Sequence, residues 1–119
     1  ELQKVTQKDF DALMFYPHGT LFSKSDLFLK RAKEEKIPIV MPEELSIGDT
    51  AIASYGPDYA GLAHSLVFIA KKVLNGENPG VIPFEQPNSI QFVINEKNAK
   101  NLGITISENV LDIANKVVR

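Results

Sequence analysis

Three short apolar runs, each closed by strong turn formers, limit what this chain can fold into. Ala12-Leu13-Met14-Phe15-Tyr16 is stopped by Pro17-His18-Gly19-Thr20, Ile37-Pro38-Ile39-Val40-Met41 by Pro42, and Ala51-Ile52-Ala53-Ser54-Tyr55 by Gly56-Pro57. A continuous apolar run has no polar side to give to water. As strands, such runs belong in a sheet covered on both faces, and sheets of that kind are parallel. Pro38 has no N–H to donate, so it belongs at the beginning of its strand.

The segments between the runs carry helical spacing. A helix is expected from Ser23 or Ser25, whose hydroxyls can cap the first turn, to about Lys36, with Leu27, Phe28, Arg31 and Ala32 on its inner face. Strand, helix and strand over this length form a right-handed βαβ unit. Pro42 to Thr50 reads as a loop with one helical turn at Pro42-Glu43-Glu44-Leu45. The clearest element follows: Tyr59, Leu62, Ala63, Leu66, Ile69, Ala70, Val73 and Leu74 recur at three and four residues and form one stripe. Pro57 suits that helix's first turn and Gly76 its C-terminal cap. Val81 to Glu85 and Ile90 to Ile94 read as extended, split by Gln86-Pro87-Asn88-Ser89. A short helix over Glu96 to Leu102 ends at Gly103, and a last helix from Ser107 buries Val110, Leu111, Ala114, Val117 and Val118. The class is α/β, a three-layer α/β/α arrangement around a mostly parallel sheet.

Charge and composition narrow the function. A net charge of -2 lacks the basic stripe of a nucleic-acid binder, and the Lys30–Lys36 run alternates with acids as a solvated helix face does. Without cysteine there are no disulfides, thiolate chemistry or the common structural zinc sites. No apolar stretch approaches the ~20 residues that span a bilayer. The chain opens on Glu1-Leu2-Gln3-Lys4, which is no signal peptide, so an exported protein would carry that segment upstream.

In open α/β sheets ligands sit beyond the carboxyl ends of the strands. That rule selects the loops after the three runs. The first offers His18, Gly19 and Thr20, the second Glu43 beside Glu44, the third Ser54, Tyr55, Asp58 and Tyr59. These polar groups and free amides suit a small polar ligand. Each also has a plain reading: His18 as an exposed loop residue, Tyr59 as packing, Asp58 as complement to the helix dipole, His64 as a surface residue. Enzyme chemistry finds little here. The two histidines form no H-E-x-x-H pair, and there is no G-x-S-x-G elbow, P-loop or G-x-G-x-x-G fingerprint. No catalytic residue, metal or cofactor is expected.

From Asp11 onward the chain resembles the substrate-binding proteins of ABC importers, in the group that includes aromatic amino-acid binders. "DALMFYPHGT" resembles the family's strand leading to a polar binding loop, "AKEEKIPIVMPEE" its I-P-V strand, and "SIGDTAIASYGPDYAGLA" the segment ending in a G-x-D-Y helix start. "KKVLNGENPGVIPFEQPNSIQFVINEKNAKNLGITISENVLDIANKVV" resembles its tail, with P-x-E-Q-P, a V-I-N strand and A-x-x-L-G in order. The resemblance implies a type I periplasmic-binding lobe, a protein that closes two lobes on its ligand by hinge motion and does no chemistry. It implies residues 1–85 as second-lobe βα units and 86–119 as a segment returning to the first lobe. It also implies a periplasmic or extracytoplasmic location and a membrane permease as partner. Where the family often has Asp-Asn before the loop Thr, this chain has Pro17-His18-Gly19. Its helix carries Ala63-His64 where Gly-Arg is common.

Without a first lobe, Ile90–Asn95 is expected either to pack on the chain's own sheet or to pair with a second copy across an open edge, giving a homodimer. Two rival readings remain. An extracytoplasmic sensor would continue into a transmembrane helix, whereas Arg119 reads as a natural C-terminus. A flavodoxin-like receiver or nucleotide-binding enzyme needs an acidic cluster or a phosphate-cradling Gly loop.

Overall fold

The structure is a computed structural model and describes residues 4–44, 48–84, 86 and 89–119. Among these residues the elements in chain order are β1 (Leu13–Met14), α1 (Gly19–Phe22), α2 (Ser25–Glu35), β2 (Ile39–Met41), β3 (Ala53–Pro57), α3 (Tyr59–Leu74), a 3-10 turn (Pro79–Val81), β4 (Ile90–Asn95), α4 (Glu96–Asn101), α5 (Glu108–Asp112) and β5 (Lys116–Val118). The strands form one five-stranded sheet in the order β1-β2-β3-β4-β5.

Pairing of β1 with β2, β2 with β3, and β4 with β5 is parallel. Between β3 and β4 the direction reverses. The Asn95 N–H donates to the Ile52 carbonyl at 2.8 Å, and Tyr55 faces Phe92 ring to ring at 6.1 Å. Later residues of one strand thus oppose earlier residues of the other, which defines an antiparallel pair. The sheet is mostly parallel with one reversal.

By contacts the chain divides into two compact bodies, Glu1–Gly56 with Gln91–Arg119, and Pro57–Ile90. In the first body, one face of the sheet carries Leu13, Phe15, Ile39, Met41, Val93 and Val118, and packs with Ala51 against Leu21, Phe22, Phe28, Leu29 and Ala32 of α1 and α2. Phe15 anchors it, its ring 5.7 Å from those of Phe22 and Phe28, the latter edge-on. Aromatic pairs in this geometry add about 0.5–1.5 kcal/mol beyond the area they bury. Of the expected inner face of α2, Ala32 is fully buried, whereas Leu27 is exposed. Arg31 turns to the helix surface: it pairs with Glu35 at 2.8 Å, and its Nε donates to the Val5 carbonyl, tying the N-terminal segment to α2.

The capping differs from expectation. Lys24 is the N-cap of α2 and supplies no side-chain bond, while Ser23 closes α1 and donates its hydroxyl to the Thr20 carbonyl at 2.9 Å. The first three strands are shorter or shifted relative to their apolar runs, because the runs extend into residues that pack without ladder bonds: Ile37 and Ala51 are fully buried ahead of β2 and β3. Pro38 precedes β2, and its carbonyl accepts from Leu13. Pro57 ends β3 instead of entering the helix, and Asp58 is the N-cap of α3. The turn expected at Pro42–Leu45 reaches residues outside the description, as does the end of the Val81–Glu85 segment. What is described of that segment opens as the 3-10 turn, because Asn78 caps Gly80 and Pro79 suits a helical first position.

The last helix is the clearest correction. It covers only Glu108–Asp112, and Val117 and Val118 lie in β5. Asn115 explains the switch. Its N–H donates to the Phe92 carbonyl at 2.8 Å and its side-chain oxygen accepts from the Phe92 N–H at 2.7 Å. These two bonds steer β-branched Val117 and Val118 onto β4, where such residues fit well.

Ile90–Asn95 lies inside the sheet between β3 and β5, so it offers no open edge to a second copy. In the second body, α3 ends where its stripe ends, at Leu74, and Gly76 takes a positive φ of 93° just past it. No residue of that helix is buried; Leu66, Val67, Phe68 and Leu74 are all more than half exposed.

Candidate functional site

Parallel pairing brings the carboxyl ends of β1, β2 and β3 to one end of the sheet, and each is followed by candidate residues. After β1 the chain turns into α1. His18 is its N-cap: the ring Nδ1 accepts from the Thr20 N–H at 3.3 Å. An Nδ1 that accepts leaves the proton of a neutral imidazole on Nε2, a donor suited to a carboxylate. Gly19 has open space where a Cβ would stand, and Thr20 is exposed on the first turn.

After β2, Glu43 is half-buried, and Glu44 forms an ion pair with Lys116 at the start of β5. Gly56 explains how closely this loop approaches β3. A Cβ there would lie 1.7 Å from the Pro42 carbonyl oxygen, so only glycine permits the approach.

On β3, Ser54 is fully buried, and its hydroxyl has no hydrogen-bond partner among the described residues. A buried polar atom without a partner is uncommon in a settled fold. Tyr55 is 60 % exposed and meets Phe92 edge-on, which holds its ring upright at the sheet end. Tyr16, just past β1, is 71 % exposed. Reading Tyr16 as the last residue of a buried run hid it as a site candidate; only its place directly before the Pro17 breaker hinted otherwise.

Asp58 and Tyr59 begin α3 in the second body. Tyr59 is half exposed at its head. The Asp58 carboxylate accepts from the Ala60 N–H and from the Ser89 hydroxyl, each at 3.0 Å. The Gly61 N–H, then Ser89 and Ala60, hold that carboxyl below the usual carboxylate range. The carboxylate thus serves three donors of its own chain. Ser89 was invisible as a partner from the sequence, being 31 residues away, although Gly61 inside a strong helical pattern is the kind of signal that marks a close approach.

Cavities lie away from these loops as well. One, about 350 Å³, is lined by Gln7, Lys8, Phe10, Asp11 and Pro38. Another, about 200 Å³, is lined by residues including Lys33, Asp49, Asn98 and Asn101. Neither contains a candidate residue. Among the described residues no group of acidic or imidazole side chains is placed to hold a metal, and no helix is long and apolar enough to cross a membrane.

A family described as ABC transporter substrate binding protein matches residues 2–118. A tyrosine-binding protein of Clostridioides difficile is 34 % identical over 92 residues, which is 77 % of this chain and 27 % of that protein. A conserved domain protein of Vibrio cholerae superposes with a TM-score of 0.84 at 28 % identity, covering 98 % of this chain and 40 % of that one. An ABC domain from Streptococcus pneumonia, solved in complex with L-Trp, superposes with a TM-score of 0.82 at 28 % identity, covering 98 % of this chain and 39 % of that one. The chain therefore spans about a quarter of the curated relative and about two-fifths of the solved structures. The shared class is the three-layer α/β/α lobe with a mostly parallel five-stranded sheet, of the periplasmic-binding type I kind.

Proposed function

The chain belongs to the ABC transporter substrate-binding protein family, and we infer that it forms part of the solute-trapping body of an ABC importer, with an amino acid bearing an aromatic side chain as ligand. One observation carries the reading of the site. The carboxyl ends of three parallel strands are followed by polar groups, His18, Thr20 and Glu43, and carry two exposed rings, Tyr16 and Tyr55, with Ser54 buried on β3 just before Tyr55 in sequence. A zwitterion with a flat apolar end needs both kinds of surface, since ring faces gain by offset or edge-on packing and a carboxylate needs donors. The relatives named for tyrosine and solved with L-Trp point to the same ligand class.

In this reading the loop His18-Gly19-Thr20 and the Ser54-Tyr55 strand end meet the ligand, and Glu43 supplies negative charge near its amino group. No bond of the ligand is made or broken. The longer protein would work outside the cytoplasm, in the periplasm or its equivalent, and deliver the solute to a membrane permease. Its remaining lobe would come from upstream chain.

The test is a titration of the isotope-labelled 119-residue chain with L-tyrosine, L-tryptophan and glycine, followed by amide chemical shifts. A half-site binds weakly, because burial supplies most of a ligand's affinity, and shifts register weak binding. Saturable shifts confined to residues 16–20, 42–44 and 54–56, with the aromatic amino acids and not glycine, are expected. No saturable shift with either aromatic amino acid, or shifts centred elsewhere, would overturn the assignment.

A further inference from the structure

We propose that Asp58, Ser89 and Gly61 form a latch that clamps the chain leaving β3 against the chain returning to β4, making Asp58 a positioning residue for this paired connection and not a group that meets ligand.

The bonds are reciprocal. The Asp58 N–H donates to the Ser89 carbonyl at 3.2 Å, and the Ser89 hydroxyl donates to the Asp58 carboxylate at 3.0 Å. One bond joins backbone to backbone and the other side chain to side chain, and both lie within the body Pro57–Ile90, near its first and last residues. Gly61 shows how tight the clasp is. A Cβ on it would stand 2.8 Å from the Ser89 hydroxyl and 2.9 Å from the Asp58 carboxylate. The same carboxylate caps α3 through Ala60. One side chain thus fixes the start of α3 and the return of the chain together.

The latch needs no ligand; only the reassignment of Asp58 away from the binding set rests on the proposed function. Amide hydrogen exchange on the ligand-free 119-residue chain tests it. A single hydrogen bond of this kind holds local opening back by about 3- to 10-fold. Ser89→Ala is expected to speed exchange of the Asp58, Ala60 and Gly61 amides by about that factor while α2 and β2 keep their protection. Gly61→Ala is the sharper variant. At an ordinary helical glycine, alanine slows exchange because it favours the helix; here it should speed exchange as Ser89→Ala does. Asp58→Ala should show the largest effect, with no further change on adding Ser89→Ala.

Asp58→Asn should restore most of the protection, since the amide oxygen still caps and the hydroxyl of Ser89 can accept from the amide nitrogen. Wild-type exchange in Ser89→Ala, or slower exchange in Gly61→Ala, would overturn the latch. So would an Asp58→Ala chain that loses the aromatic amino-acid shifts at Tyr55 with exchange unchanged. Conversely, the expected exchange pattern in a chain that binds no amino acid leaves the latch standing and removes the ligand reading.

Discussion

The side-chain nitrogen of Asn98 in α4 donates to the Ala51 carbonyl at 2.8 Å, 47 residues earlier in the chain. The same nitrogen lies 3.4 Å from the Gly48 carbonyl, and the Asn98 N–H is capped by Asn95. This buried amide is what joins α4 to the segment entering β3. Asn98→Ala is expected to cost about 1–3 kcal/mol, the range for stranding a buried polar partner. Asn98→Asp should cost more, because it turns an acceptor and a buried charge toward the Ala51 carbonyl. Urea unfolding of the two variants checks the order.

Gly56 gives a second stability prediction. With the Pro42 carbonyl oxygen 1.7 Å from where a Cβ would be, Gly56→Ala must push the loop after β2 away from β3. Forced overpacking of this sort costs about 1–3 kcal/mol. Amide shifts should move first in Pro42's neighbours Met41 and Glu43, ahead of residues in α2.

Ser54 separates stability from binding. Its buried hydroxyl lacks a partner among the described residues, so Ser54→Ala removes an uncompensated polar group at little loss of volume. Stability is expected to stay level or rise by about 1 kcal/mol, measured as the urea midpoint. If Ser54 serves a ligand, the aromatic amino-acid titration should weaken in the same variant that unfolds no earlier. A variant that loses stability with unchanged binding would assign Ser54 to packing.

Acid should loosen the α4 end of the sheet. Glu96 is held below the ordinary carboxylate range, first by its hydrogen bond to Lys100 and then by the charges of Lys100 and Arg119. The folded chain therefore binds this proton less tightly than the unfolded one, and unfolding takes a proton up. That contribution is complete above the unfolded value and is lost as pH falls through the lowered one. Asp58 adds a second term of the same sign. Glu96→Gln should flatten the acid limb of stability against pH, read from urea midpoints in steps below neutrality.

How much of this was legible in the residues depends on the range of the interaction. Apolar runs and helix spacing report local periodicity, so β1, β2, β3 and α3 fell close to where their residues place them, although Met14 of β1, expected to be covered, is 83 % exposed. Helix ends set by nearby backbone conformation, such as positive φ at Gly76 and Gly103, were equally plain. Contacts made across many residues were not. Val117 and Val118 fit a helical stripe as well as a strand, and only the Asn115–Phe92 pair decides between them. The expected stripe of α3 is present but unburied, because periodicity tells which face is apolar and not whether anything in the same chain covers it. Asp58 was singled out for its position, and its tie to Ser89 could not be seen from spacing.

The order of the strands has a consequence for how the chain is made. Each strand lies beside its sequence neighbour, so β1, β2 and β3 can zip up as they leave the ribosome, with little loop entropy to overcome at each step. Then growth of the sheet stops. The whole of Pro57–Ile90 must be synthesised before β4 arrives, an interval of about 2–7 s at ~5–20 residues per second. During that interval the flank of β3 is a nascent template without its natural strand, and translation speed across those codons sets how long it waits.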